Sequence, residues 1–390
     1  MPQTAIPQPA GVRAATPRRS SRTPGPAVRL RRIALLGAIF TLVPVVFSYV
    51  HTLSEPSNSS TGVRTVEWLR DHGAAGLVAK IESVYYSLTA PSKGGPTLRA
   101  LPHVGFGAAG AAGTRIASEL RPPRVHAMLH PALPGEGIWH AIRPRLASNP
   151  PVLITTLRDQ PEYPRVLAGL AWINTKRARL ALHAGRLEPS VPIPRGAMDV
   201  PAAERPKLLA SFNSGFKLSD SHGGFVLGGR TYAAMRNGQA TLVGYTDGSV
   251  NVLDWNQGAN APANVSFARQ NLPLIVSEGK PSPDIGVSAD WGATVENAVL
   301  VWRSGIGVDR HGNLIYAAGE EQTVSSLAKV LIRAGAVRAM ELDINSYWVS
   351  FITYGARGAE APANLLPSMN RPNTRYLEPD DRDFFTLYSR

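Results

Sequence analysis

The stretch Val301-Trp-Arg-Ser-Gly-Ile-Gly-Val-Asp-Arg-His-Gly-Asn-Leu-Ile-Tyr316, with Val324 to Ala334 and Met340-Glu-Leu-Asp343 behind it, decides the fold. It reads as a strand, an Asp-x-x-Gly hairpin, a second strand, an amphipathic helix and a buried strand. Val324, Leu327, Ala328 and Leu331 recur at i, i+3, i+4 and i+7 and make one apolar stripe. Thr323 is the expected N-cap, Arg333 falls in the last turn, and Gly335 is the expected residue just past the helix end. From Met340 to Asn345 the period changes to two, with Met340, Leu342 and Ile344 on one face and Glu341, Asp343 and Asn345 on the other.

Three polar residues on one strand face cost free energy if they are buried without partners. Residues two apart on a strand are separated by ~6.6 Å, a span compatible with acid and base work at a glycosidic bond. The plainer alternative is a polar face that meets solvent at the edge of a sheet.

Taken in order, these segments resemble the phosphodiester glycosidase family. The resemblance rests on Arg303, Gly305-Ile-Gly-Val-Asp309, the Leu327 to Gly335-Ala336 helix and Leu342-Asp343, with Ser211-Phe-Asn-Ser-Gly-Phe216 similar to an upstream Asn-Gly-Gly-Phe segment. It covers roughly the last two-thirds of the chain. Ile344-Asn345-Ser346 stands where the family pattern has three glycines, which allow close backbone approach to a ligand. The resemblance implies hydrolysis of a sugar phosphodiester, with Asp343 and Glu341 as the catalytic candidates. Asn213, Arg303, Lys217, His222 and Asn345 are the candidates for holding substrate.

Each candidate has an ordinary reading beside the functional one. Asn213-Ser-Gly215 also suits a turn, and Lys217 and Arg303 also suit surface cations, although an Arg fork fits a phosphate well. His222-Gly-Gly224 makes a loop whose N–H groups could cradle an anion, or simply turns a hairpin. Trp348 and Trp291 could stack on sugar rings or fill the core. Asp309 is what its tight turn needs.

The 390 residues are 44% hydrophobic and carry a formal charge of +13, with no cysteine. A full core follows, in one or two domains, without disulfides, thiolate catalysis or Cys-ligated zinc. Residues 1–32 hold seven arginines and no acidic residue, so the charge is largely a basic tail. Ile33 to Val50 is then 18 residues without a charge, close to the ~20 that cross a bilayer. Arginine-rich flanks stay cytoplasmic, which places the remainder outside, and no small-x-small cleavage site follows the apolar run. The rival reading is a cleaved signal peptide.

The expected organisation is a disordered cytoplasmic tail over 1–32, a transmembrane helix over 33–53, juxtamembrane helices and a Pro/Gly/Ala-rich linker over 54–135, and a glycosidase-like domain over 136–390. Val66 to Leu88 shows helical spacing broken at Asp71-His-Gly73, hence two short helices whose apolar stripe packs on the domain or lies on lipid. Further strands are expected at Val152 to Leu157, Ala178 to His183, Leu208 to Phe212, Thr241 to Tyr245 and Val250 to Trp255. The fold class is α+β, a mixed twisted sheet with packed helices.

Other motifs carry less. Gly105-Phe-Gly-Ala-Ala-Gly110 matches a dinucleotide fingerprint in letters, but prolines precede it and no acidic residue follows at the required spacing. His126 and His130 are bracketed by prolines without a ligating carboxylate, and Ser221-His222 lacks a nucleophile elbow. No cofactor and no metal is expected. The partners implied are a glycan or sugar-phosphate substrate and the membrane; nucleic acid is disfavoured because the basic run has no interleaved aromatics. The sequence says nothing of oligomeric state, and a non-catalytic carbohydrate-binding or scaffold protein of the envelope remains the alternative.

Overall fold

The computed structural model describes residues 25–89, 92–102, 121–143, 150–286, 291, 300–355 and 358–390. The Gly105 to Gly110 motif and most of the basic tail lie outside the described residues. Two compact units emerge, Met1–Glu55 and Pro56–Arg390.

The first unit contains the single helix α1 (Pro26–Ser54), 29 residues with Pro44 inside and no buried residue. It is long and apolar enough to cross a membrane, as the uncharged run requires. A signal sequence has the same properties.

In the second unit the two short helices are α2 (Thr61–Leu69) and α3 (Ala75–Thr89). Between them the chain kinks at His72 and at Gly73, where φ is +86°. Ser60 caps α2 by accepting from the Val63 N–H.

The strands then follow in chain order: β1 (His140–Ala141), β2 (Val152–Arg158), β3 (Leu167–Ile173), β4 (Ala178–His183) and β5 (Leu208–Asn213). After the short helix α4 (Leu218–Ser221) come β6 (Phe225–Leu227), β7 (Arg230–Ala233), β8 (Ala240–Tyr245), β9 (Val250–Asp254), β10 (Val265–Gln270), β11 (Leu274–Ser277) and β12 (Lys280–Pro281). The hairpin β13 (Val301–Val308) and β14 (Leu314–Gln322) leads into α5 (Val324–Arg333), then β15 (Arg338–Glu341), β16 (Phe351–Thr353), β17 (Ala363–Asn364) and β18 (Phe384–Ser389).

They form an eight-stranded sheet, β1-β2-β3-β14-β13-β15-β11-β12, and two five-stranded sheets, β7-β6-β10-β8-β9 and β17-β16-β5-β18-β4. The fold is α+β. The mixed sheet expected from the sequence resolves into three sheets whose described pairings, such as β13 with β14 and with β15, are antiparallel.

The large sheet is covered on both faces, which is why its strands read as continuous apolar runs. On one face Ile154, Ala171, Ile306, Leu314 and Tyr316 pack against Leu180, Phe212, Leu242 and Phe385 of the smaller sheets. On the other, Leu153, Leu170, Trp172 and Ile315 meet Val324, Leu327 and Leu331 of α5. Thr323 and Ser326 make the reciprocal capping box at the start of α5, and Gly335 past its end has φ +104°. The glycines of Gly305-Ile-Gly307 lie inside β13 and let α5 and its neighbours come close. A Cβ on Gly305 would stand 3.1 Å from Leu331 Cδ1, and one on Gly307 would stand 2.9 Å from Ala336 Cβ.

Candidate active site

β13, β15 and β5 bring the polar candidates to the ends of their strands. Beyond the end of β15, the Leu342 N–H donates to the Ser304 carbonyl at 2.8 Å, and the Ser304 N–H donates back to the Asp343 carbonyl at 3.0 Å. Ser304 Oγ donates to the same carbonyl at 2.9 Å. The backbone under Asp343 is therefore fixed by β13.

Asp343 is 4% exposed. Its Oδ1 accepts the Asn345 N–H at 2.9 Å and its Oδ2 lies 3.1 Å from Arg382 Nη2. Burial pushes its pKa above the usual carboxylate range, partly offset by Arg382 and the Asn345 N–H. Glu341 is fully buried; its Oε1 is 2.6 Å from Arg303 Nη1, while Oε2 has no partner among the described residues. Burial raises its pKa too, against the pull of Arg303, and the charge of Asp343 adds to the rise. Two carboxyl groups with raised pKa values thus stand at the end of β15 and just beyond it.

Arg303 is committed inside the protein, donating to the carbonyls of Gln322 at 3.0 Å and Trp291 at 3.1 Å besides Glu341. Asn213 is equally occupied. Its Oδ1 accepts from Tyr316 Oη at 2.9 Å and the Ser350 N–H at 3.0 Å, and its Nδ2 donates to the Ser214 carbonyl and Ser304 Oγ. All four hydrogen-bonding positions of that amide are used, which ties β5, β13, β14 and the segment before β16 together. Asn345 shapes the turn after Asp343, accepting the Tyr347 N–H at 2.8 Å. Ile344 is buried with Phe216 and Val301.

Lys217 sits just before α4, with its ammonium 2.5 Å from Glu67 and 3.1 Å from Asp71. Burial works against that charge, but Glu67 more than offsets it and the pKa ends above its ordinary value. Burial likewise opposes the charge on Glu67, yet Lys217, Arg382 and Arg70 bring its pKa below the usual range. Helix α2 thereby presents a carboxylate to the lysine that precedes α4. His222 ends α4 in the left-handed conformation, φ 51°, and its exposed ring joins none of these contacts among the described residues.

Three arginines around Trp348 are invisible to local sequence patterns. Arg382 is buried, donates to the Gly215 carbonyl at 3.0 Å as well as to Asp343, and lies 5.1 Å from the Trp348 ring centroid. Burial disfavours its charge, but Asp343 and three other carboxylates raise its pKa. Arg371 and Arg375 also flank Trp348, at 5.5 and 5.3 Å. Arg375 is neutralised by Asp380 at 2.7 Å. Trp348 is 4% exposed and Trp291 2% exposed. No group of three or more metal-ligating side chains occurs among the described residues.

Residues 207–343 match the family described as phosphodiester glycosidase. The matched stretch includes Asn213, Lys217, His222, Arg303, Glu341 and Asp343. Among curated proteins none matches. Among solved structures the chain is similar to the zebrafish N-acetylglucosamine-1-phosphodiester alpha-N-acetylglucosaminidase catalytic domain auto-inhibited by pro-peptide. That likeness has 16% identity and TM-score 0.41, covering 63% of this chain and 85% of that one. It is also similar to a hypothetical protein from Synechocystis, with 11% identity, TM-score 0.35, and 63% and 65% coverage. A third similar structure is an exported protein from Burkholderia pseudomallei, with 10% identity, TM-score 0.30, and 59% and 75% coverage.

Proposed function

We propose that the chain is a phosphodiester glycosidase family member, a membrane-anchored, extracytoplasmic hydrolase that cleaves a sugar-1-phosphodiester bond in an envelope or exopolysaccharide glycan. In this reading residues 1–32 are the cytoplasmic tail, 33–53 the span, 54–135 the juxtamembrane region and 136–390 the glycosidase-like domain. The observation that carries it is Asp343, a buried carboxyl with a raised pKa, set against Arg382 with Lys217 and Glu67 in the same electrostatic neighbourhood. A phosphodiester needs cations for its charge and a proton-holding group near the bond that breaks.

Asp343 is the acid or base of the reaction. Lys217 and Arg382 hold the phosphate, which competes with Glu67 and Asp343 for them. Glu341 is locked to Arg303, and after burial it is the charge of Glu67 that helps keep the pKa of Asp343 up. Asn213 fixes the Ser304 hydroxyl under Asp343, and Asn345 holds the carboxylate through its N–H. His222 stands on the rim. Ile344, in place of a family glycine, gives the pocket a shape of its own.

The test is release of free sugar from a panel of sugar-1-phosphodiesters by the full chain in detergent. Asp343→Asn is expected to lower kcat by at least ~100-fold, the scale of general acid–base catalysis, with KM little changed. Turnover of no member of the panel would favour the non-catalytic carbohydrate-binding reading.

A further inference from the structure

A cavity with polar groups in its wall lies away from these residues, beyond the end of β2. Arg158, the last residue of that strand, is satisfied by Glu136, which takes its Nε at 3.0 Å and its Nη2 at 2.8 Å. The next residue is the opposite case. Asp159 is 3% exposed; the Gln322 side chain approaches its carboxylate, but neither oxygen makes a hydrogen bond of normal geometry among the described residues. It lines a cavity of about 420 Å³ together with Gln160, Tyr163, Thr323, Ser325 and Lys329. Gln160 is held there by its bond to the Glu321 carbonyl at 2.8 Å.

A buried carboxylate so weakly compensated contributes little to the fold, and burial pushes its pKa up to about 7 despite the neighbouring Gln322 amide. The surrounding side chains narrow the ligand. Thr323 and Ser326 are consumed by the capping box of α5, and Lys93 at the rim is paired with Glu162 at 3.0 Å. That leaves two adjacent acceptors on Asp159, donors on Ser325, Tyr163 and Lys329, and the half-buried ring of Tyr163 as an apolar wall. A bare anion is repelled by Asp159. A divalent cation lacks ligands, since no group of three ligating side chains occurs among the described residues. Two acceptors on one carboxylate match the paired hydroxyls of a sugar ring, and the volume falls within the range of small-molecule sites.

We propose that the Asp159 cavity is a carbohydrate-binding site for a neutral sugar ring, held through two neighbouring hydroxyls. Its place in the sheet gives it a role. Arg158 pairs with Leu167, Ala168 with Gly319, Gly319 with Arg303, and Gly305 with Glu341. Asp159 therefore lies toward the same end of the sheet as Arg303 and Glu341, four strands across, or ~19 Å at the usual spacing. That separation suits two points on one oligosaccharide. Binding at the cavity itself does not depend on turnover at Asp343.

The test is saturation-transfer NMR and calorimetry on the full chain in detergent, with the methyl glycosides of glucose, galactose, mannose and N-acetylglucosamine as probes. At least one should bind, with affinity falling about ten-fold or more in Asp159→Asn, the loss expected for hydrogen bonds to a charged group. Tyr163→Ala, a surface-side change, should also weaken it, and Asp343→Asn should leave it intact. Three results would overturn the proposal: no glycoside binds, binding is indifferent to Asp159→Asn and Tyr163→Ala, or it is lost in Asp343→Asn alone. Preference for glucosamine over its neutral counterpart would also reject it, in favour of an ammonium ligand.

Discussion

Replacing Asp159 by Asn should change stability in a way that depends on pH, and the size follows from the burial of the carboxyl. Its pKa moves from 3.8 to about 7 on folding, chiefly because burial penalises the charged form. Between those two values the folded protein keeps the proton while the unfolded chain has released it. Stability therefore falls as pH rises through this window, and the penalty is complete above about pH 7. At roughly 1.4 kcal/mol per pH unit the interval corresponds to about 4 kcal/mol. Asn cannot ionise, so the variant escapes this cost, although an amide short of partners costs ~1–3 kcal/mol at every pH. Comparing two pH values cancels that constant. The other ionisable groups lining the cavity, Glu162 with Lys93, Tyr163 and Lys329, are common to both proteins, as is Glu321, whose pKa burial lifts to about 7. Urea unfolding of wild type and Asp159→Asn at about pH 4 and pH 8 should give stability differences that diverge by ~3–4 kcal/mol in favour of the variant at the higher pH. An identical difference at both pH values would refute the argument that the neighbours of Asp159 fail to offset its burial.

Three further outcomes are expected. Glu67→Gln removes the charge that faces Lys217 at 2.5 Å, so KM for a phosphodiester substrate should fall with kcat unchanged; an unaltered KM would exclude Lys217 from phosphate binding. Gly307→Ala places a methyl group 2.8 Å from the Arg338 carbonyl oxygen and 2.9 Å from Ala336 Cβ, and should cost about 1–3 kcal/mol in urea unfolding, whereas a change within ~0.5 kcal/mol would mean that β13 and its neighbours give way freely. A reporter fused after Arg390 should be active outside the cytoplasm and stay with the membrane after an alkaline wash; a shortened soluble product would instead mark α1 as a cleaved signal.

The sequence by itself determined the elements whose signals are local. Val324 to Leu331 carries a helical stripe and Thr323 its cap, and both are formed as read because each depends only on residues three or four apart. The strand Ala178–His183 and the break between α2 and α3 at Gly73 were legible for the same reason. The order of Asn213, Arg303 and Asp343 also pointed to the family. What periodicity cannot encode is which element lies opposite which. The partner of Asp343 is Arg382, 39 residues away inside an Asp-Asp-Arg-Asp run that on its own reads as a solvated face, and the partner of Lys217 is Glu67, 150 residues earlier. Asn213 likewise looked like a turn or a free amide, and only the meeting of β5, β13 and β14 fills all its hydrogen bonds. Burial decides these cases. Once tertiary packing removes water, a charged or amide group must find its partner among whatever the fold brings near, and that choice is fixed by the arrangement of sheets rather than by neighbours along the chain.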